Sequence, residues 1–134
     1  MVLMQKFYER AGLMDHGPSI FAHVIFPTEE DKRILKKHGS FSVHCPDATV
    51  NIIAGIMTAA AYGAEGLKIA MGTDIAGGHG IGIYRQVARA VQLSKLKEFY
   101  EPQESKTITI TQASTMQPKS LEVYSVRLAL SKRL

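Results

Sequence analysis

The sequence has a single cysteine and no long apolar run, and these absences limit what the chain can be. One cysteine, Cys45, cannot form an internal disulfide, which fits a reducing compartment. No apolar run approaches the ~20 residues that cross a bilayer, and the N-terminal stretch MVLMQKFYERAGL lacks the apolar segment of a secretory signal. We therefore expect a soluble cytoplasmic protein with no membrane partner.

The excess of positive over negative charge is also small, because the chain has 16 Lys and Arg residues and 12 Asp and Glu residues. The resulting excess of +4 is scattered along the chain, so we expect no nucleic-acid partner. Apolar residues make up 46% of the 134 positions, a globular composition and a length for one modest domain. We predict that residues 1–134 form a single domain.

Strand-like and helix-like segments alternate from residue 19 to residue 100. The nearly unbroken apolar run SIFAHVIF, residues 19–26, is typical of a strand covered on both faces. Thr28 and the acids that follow it predict the start of a helix, which Gly39 would end. This order with short connections is typical of a parallel α/β fold. The predicted βα units span about residues 19–38, 40–63 and 67–100.

Within and around these units, the composition predicts more elements. We expect strands over residues 40–44 and 67–72, a loop over CPDATVN, and helices over residues 3–12, 51–62 and 81–100. The inner face of the last helix would carry Ile83, Val87, Ala90, Val91 and Ser94. Residues 101–134 form an atypical tail, in which KTITIT (106–111) has strand composition and 118–134 could be a terminal helix.

Three polar side chains lie at or near the ends of the predicted strands: His23, His44 and Asp74. Sites in parallel α/β folds form at the carboxyl ends of strands, so we expect the three to converge. Imidazole and carboxylate are ligands that zinc prefers. Each residue also has a simpler interpretation: His23 as a hydrogen-bonded core residue, His44 as a turn cap, and Asp74 as a cap in a glycine-rich loop.

Other candidate residues are weaker. Cys45 is better interpreted as a packed side chain than as a nucleophile, because no basic partner is evident. His79, on the glycine loop, could contact a ligand or only solvent, and Arg85 fits a solvated charge. The loop GTDIAGGHG matches neither the dinucleotide fingerprint nor the P-loop pattern, although its glycines would let the backbone approach a ligand.

Two segments carry a resemblance to a known family. HCPDATVNIIAGIM and LKIAMGTDIAGGHGIGIYRQVARAVQLSKL together resemble the amidohydrolase superfamily of metal-dependent deaminases. The resemblance is strongest to guanine deaminases and related chlorohydrolases and cytosine deaminases, and it runs from about residue 3 to about residue 110. The paired signals HCP and GTD-x-x-GG, at this spacing, are specific.

The resemblance implies a metallo-dependent hydrolase of the TIM (β/α)8 barrel type that removes ammonia from a purine-like ring. Asp74 would bind the metal and shuttle protons, and His23 would lie beside metal and substrate, as a second metal-site residue. His44 would line the pocket, and His79 would contact substrate. The chain departs from the family pattern after His23, where Val24 replaces a small residue, and after HCP, where residues 47–49 read Asp-Ala-Thr.

The family's H-x-H metal ligands are absent, since no two of the five histidines are two residues apart. A barrel of this type needs roughly 250 residues, whereas the predicted units resemble strands six to eight. We therefore expect a fragment of a purine deaminase, inactive alone, with zinc or iron held only by the complete enzyme. Its expected partners are a purine-like substrate and a second copy or a complementary half-barrel chain. The alternative is a non-catalytic α/β assembly or binding module derived from such an enzyme.

Overall fold

The structure is a computed structural model that describes residues 4–116. The elements in chain order are α1 (Met4–Arg10), β1 (Ile20–Ala22), α2 (Glu29–Lys37), β2 (Phe41–His44), α3 (Pro46–Asn51), α4 (Ala59–Ala64), β3 (Lys68–Met71), α5 (Ile83–Tyr100) and α6 (Ile110–Thr115). Within this range, no helix combines the length and the apolar character needed to cross a membrane. The helix predicted over 118–134 lies outside the described residues, so the single domain over 1–134 stays a prediction.

The described strands form one parallel sheet in the order β1-β2-β3. Ile20 pairs with Phe41, and Phe41 pairs with Lys68, so all three strands begin at the same level. Because the strands run in one direction, their carboxyl ends meet at one edge of the sheet. The predicted α/β class, a partial TIM barrel of about three parallel βα units, is confirmed.

Helix α2 forms where the sequence predicts it. Asp31 N–H donates to Thr28 Oγ1 at 3.2 Å, and Thr28 N–H donates to Asp31 Oδ2 at 3.0 Å, which completes a capping box. Gly39, at φ +61°, lies directly after the last turn in the left-handed region that glycine tolerates. The helix buries Ile34 and Leu35 almost completely.

The prediction for residues 45–62 is wrong in detail. The expected loop CPDATVN is instead helix α3, in which Pro46 occupies the first turn, where its fixed φ favours a helix start. The expected single helix over 51–62 is interrupted by Ile53 at φ +56° and Gly55 at φ +108°, and a separate helix α4 begins only at Ala59. Left-handed backbone cannot continue an α-helix, so the apolar composition of this segment was misleading.

Two predicted strands also differ from the structure. The first strand has three residues rather than eight, because His23 adopts φ +56° directly after β1. Residues 106–111 form no strand. Thr109 instead caps α6 through a capping box with Gln112, so a local helix-start signal prevails over β-branched composition.

The core consists of two clusters of buried apolar side chains. The first contains Val24, Leu35, Met57, Ala59, Tyr62 and Leu67. The second contains Met71, Val87, Ala90, Val91, Ile108 and Ala113. The predicted inner face of α5 is buried apart from Ile83, which packs against the second cluster while remaining partly exposed. Burial of each large apolar side chain contributes about 1.5–3 kcal/mol, so these clusters position the sheet against its helices.

Candidate functional site

The site begins with two residues that follow the outer strands of the described sheet. His23 follows β1 and Asp74 lies just beyond β3, and their Nε2 and Oδ2 atoms are 3.3 Å apart. Both residues have positive φ angles, +56° and +44°, which are uncommon for residues other than glycine and cost about 1–3 kcal/mol each. Strained backbone at two converging polar side chains is typical of a functional site.

The glycines after Asp74 are required by the turn that this residue makes. The N–H groups of Gly77 and Gly78 donate to the Asp74 carbonyl oxygen at 3.0 and 2.6 Å. A Cβ at Gly77 would lie 2.7 Å from Asp74 Oδ2, and one at Gly78 would lie 2.3 Å from the Thr73 carbonyl oxygen. At these two positions, glycine therefore lets the loop fold back on Asp74 itself.

His44 ends β2 and is 2% exposed. Burial, assisted by the nearby charge of His23, lowers the pKa of His44 from 6.5 to about 4. Among the described residues, neither His44 Nδ1 nor Ser42 Oγ, two positions earlier on the same strand, has a hydrogen-bond partner. His44 is therefore a neutral, enclosed imidazole behind His23 and Asp74.

The donor set of His23 and Asp74 fits part of a divalent-metal site. At zinc–ligand bonds of about 2.0–2.1 Å, two ligand atoms of a tetrahedral ion lie roughly 3.3 Å apart, which equals the 3.3 Å between Nε2 and Oδ2. Within residues 4–116, however, no group of three or more His, Cys, Asp and Glu residues could hold a metal ion. These two side chains could thus supply two ligands, whereas a catalytic zinc takes about three from protein.

Cys45 is a packed residue, as the sequence predicts. Its side chain is buried, and a Cβ at Gly72 would lie 2.9 Å from Cys45 Sγ. Burial and the neighbouring charge of Asp74 raise the pKa of the Cys45 thiol to about 11. A thiol held in its neutral form is a poor nucleophile and a poor metal ligand.

Sequence reasoning missed a buried ionic cluster that joins α3 to α5. The Asp47 carboxylate, fully buried, accepts hydrogen bonds from Arg89 Nε at 2.7 Å and Gln86 Nε2 at 2.9 Å. Burial alone would raise the pKa of Asp47, but these hydrogen bonds together with the charges of Arg89 and Arg85 outweigh it and lower the pKa. Arg85, expected to be solvated, is mostly exposed but lies 3.6 Å from Asp47 Oδ2. The only sequence signals were an acid in the first turn of a helix and two arginines four residues apart.

Sequence reasoning also missed Asn51, the last residue of α3. Its Nδ2 donates to the Gly77 carbonyl oxygen at 2.7 Å and lies 3.4 Å from His79 Nδ1. His79 is thus in contact with α3, and the loop that carries Asp74 is tied to the end of that helix. The signal was hidden because residue 51 was assigned to the start of a helix rather than to its end.

An open groove of about 670 Å³ lies elsewhere, between the segment after β1, helix α4 and the end of α5. Two of its three charged lining residues, Lys97 and Glu101, already pair at 2.7 Å. It contains neither His23 nor Asp74, so its volume does not mark the chemistry of the candidate site.

Comparisons with known proteins identify the family of the chain. Residues 3–120 match the amidohydrolase family. The "probable guanine deaminase" of Deinococcus radiodurans is 32% identical over 89 residues, which are 66% of this chain and 20% of that protein. The chain therefore spans about a fifth of the length of this curated relative.

Solved structures that superpose on this chain include two deaminases. The crystal structure of guanine deaminase from C. acetobutylicum with bound guanine superposes with a TM-score of 0.78 and 28% identity, covering 84% of this chain and 27% of that one. An adenosine deaminase from Xanthomonas campestris with bound zinc superposes with a TM-score of 0.52 at 24% identity, covering 57% of this chain and 18% of that one, which supports the fold alone.

The family match covers most of the chain and includes both strand ends that carry His23 and Asp74. The structure brings His23 and Asp74, the aspartate of the GTD motif, together at the carboxyl edge of parallel strands, as their positions at strand ends predicted. The chain belongs to the amidohydrolase family.

Proposed function

We propose that this chain is part of a metal-dependent amidohydrolase that deaminates guanine or a related purine hydrolytically. The observation that carries the proposal is the 3.3 Å approach of His23 Nε2 to Asp74 Oδ2 at the carboxyl edge of a parallel sheet. Similarity to the probable guanine deaminase of D. radiodurans and to the guanine-bound guanine deaminase of C. acetobutylicum supports guanine as the substrate.

In the complete enzyme, Asp74 and His23 would hold a zinc or iron ion together with ligands from outside the described residues. A bound divalent ion would lower the pKa of a water ligand toward ~7, which would make hydroxide available at neutral pH. The Asp74 carboxylate accepts the proton that the attacking water loses and passes it to the departing amine. His23 would hold the same ion beside Asp74, since its Nε2 lies 3.3 Å from Asp74 Oδ2.

The reaction balances without a further co-reactant. Water adds to the ring carbon that bears the amino group, which is carbon 2 in guanine, and the C–N bond breaks. The products are ammonia and the corresponding oxopurine, xanthine. His44 stays neutral because burial lowers its pKa to about 4, so it would line the site without serving as the acid, and His79 would contact the purine.

The chain is proposed to be inactive without the missing part of the barrel. Two described ligands are too few for a catalytic zinc, and β1 and β3 each have an unpaired side within the described sheet. Open parallel edges favour pairing with another chain, so we propose a second copy or a complementary half-barrel chain as partner. A cytoplasmic location stays a prediction.

A chimera tests the proposal. The segment of C. acetobutylicum guanine deaminase that superposes on this chain is replaced by residues 4–116, and xanthine formation from guanine is measured. We expect turnover, and we expect Asp74→Asn to lower kcat by roughly 10³-fold because general acid–base catalysis contributes about 10²–10⁴-fold. Asp15→Asn, at an exposed aspartate beyond α1, is the matched control and should retain activity.

The isolated chain with added zinc or iron should release no ammonia from guanine. Turnover by the isolated chain would refute the proposed dependence on a missing half. A chimera that folds, as judged by circular dichroism, but forms no xanthine would instead favour the non-catalytic assembly module.

A further inference from the structure

Asn51 connects two parts of the molecule that are far apart in sequence. It ends α3, whereas its partners Gly77 and His79 belong to the loop that follows β3. This loop makes a tight turn on Asp74 and contains two left-handed residues other than glycine, Asp74 and Ala76 at φ +44° and +82°. A hydrogen bond of 2.7 Å from Asn51 Nδ2 to the Gly77 carbonyl oxygen therefore anchors a strained turn from outside it.

The orientation of the Asn51 amide follows from its partner. A backbone carbonyl oxygen can only accept a hydrogen bond, so the NH₂ group, and not the amide oxygen, must face Gly77. The same NH₂ group has a second hydrogen, and it lies 3.4 Å from His79 Nδ1. Since an amide NH₂ group only donates, a hydrogen bond between it and His79 Nδ1 requires that Nδ1 present its lone pair.

This contact selects one tautomer of the His79 ring. A neutral imidazole carries one proton, and an Nδ1 atom that accepts leaves that proton on Nε2. Within residues 4–116, no hydrogen bond reaches His79 Nε2, and the side chain is exposed. In this tautomer, His79 Nε2–H is exposed and available as a hydrogen-bond donor.

We propose that Asn51 is a positioning residue that holds His79 as the Nε2–H tautomer, so that His79 donates a hydrogen bond to a carbonyl oxygen of the substrate. The substrate part rests on the proposed function and deepens it. A purine with an oxygen at carbon 6 presents an acceptor to such a donor, whereas a purine with an amino group there presents a second donor. Asn51 and His79 would then favour oxopurines over aminopurines.

The tautomer can be measured directly in the full chain by long-range ¹H–¹⁵N NMR of the imidazoles at pH ~8.5, where an ordinary imidazole is neutral. We expect Nε2–H for His79 in the unmodified protein. Asn51→Asp should convert it to Nδ1–H, because a carboxylate accepts where the amide donated. Val50→Ala, one residue earlier in α3, is the matched control and should leave the tautomer unchanged. An Nδ1–H ring in the unmodified chain, or an unchanged ring in Asn51→Asp, would overturn the proposal.

The substrate part is measured in the chimera with guanine and 2,6-diaminopurine, which share the amino group at carbon 2 and differ at carbon 6. The ratio of kcat/KM for guanine over diaminopurine should fall about tenfold or more in Asn51→Asp. An unchanged ratio with a converted tautomer would overturn the assignment of His79 to the substrate oxygen. A chimera inactive on both purines would count against the proposed function, while the tautomer measurement would still decide the role of Asn51.

Discussion

The helix after β1 and the segment from Cys45 to Gly82 are held in different ways. Helix α2 is bounded by contacts between near neighbours, since Thr28 and Asp31 cap its start and Gly39 follows its end. The segment 45–82 is held by contacts between distant residues, since Asp47 bonds Gln86 and Arg89 and Asn51 bonds Gly77. Contacts within one turn can be read from sequence, whereas contacts across some 26 to 42 residues become visible only when the chain has folded.

The largest expected effect comes from breaking the distant contacts at Asp47. Asp47→Ala would leave the donors of Gln86 and Arg89 without their buried carboxylate, and we expect a loss of about 3 kcal/mol in the free energy of unfolding, measured with urea. Asp15→Ala, at an exposed acid, should change the free energy of unfolding by no more than about 0.5 kcal/mol. Equal effects of the two substitutions would contradict the special role of the buried cluster.

A pH dependence should come from His44. Its pKa falls from 6.5 to about 4 on folding, so below pH 6.5 the unfolded chain binds a proton that the folded chain does not. Protonation of His44 therefore does not affect the free energy of unfolding above about pH 6.5. The free energy of unfolding decreases as the pH falls from 6.5 toward 4. Between pH 7 and pH 5 we expect a loss of about 2 kcal/mol. The same urea titrations on His44→Gln should lack this component, and an identical pH profile in both proteins would show that His44 is not responsible.

Gly77→Ala tests the close approach of the glycine loop to Asp74. Its Cβ would lie 2.7 Å from Asp74 Oδ2, so the carboxylate must move, and we expect a loss of about 1–2 kcal/mol together with a changed NMR signal of the His23 ring. Gly80→Ala is the matched control, because nothing lies within 4 Å of a Cβ at that position. A His23 signal that is unaffected by Gly77→Ala would argue against the contact between His23 and Asp74.

The smallest expected effect comes from removing the side-chain cap at the start of α2. Thr28→Ala removes the side-chain cap of α2 and should cost about 1 kcal/mol in thermal or urea unfolding. Thr58→Ala is the matched control, since Thr58 precedes α4 in the same cap position but makes no capping hydrogen bond through its side chain. If both threonines prove equally costly, the capping box does not account for the stability of α2.

The sequence predicted some elements well and others poorly, for identifiable reasons. Strands β2 and β3 and helix α5 lie within two residues of their predicted bounds, because apolar runs and helical periodicity agree there with the tertiary packing. The predictions for residues 45–62 and 106–111 were wrong, because Pro46 and the Thr109–Gln112 capping box are short signals that broader composition obscured.

The candidate site was predicted only in part. His23 and Asp74 were expected to converge, and the structure brings their side chains to 3.3 Å, although their roles in metal binding and catalysis remain proposals. The enclosure of His44 and the contacts of Asp47 and Asn51 were not predicted. Burial and hydrogen-bond partners depend on which segments pack together, and periodicity does not report that for an individual polar residue.

By itself, the sequence determined the order of parallel βα units, the capping of α2 and the position of a histidine and an aspartate at strand ends, because each depends on residues within a few positions of one another. The tertiary structure decided the left-handed backbone at His23 and Asp74, the buried carboxylate of Asp47 and the link from Asn51 to His79. These features depend on contacts between segments that are distant in sequence, and only the folded chain brings those segments together.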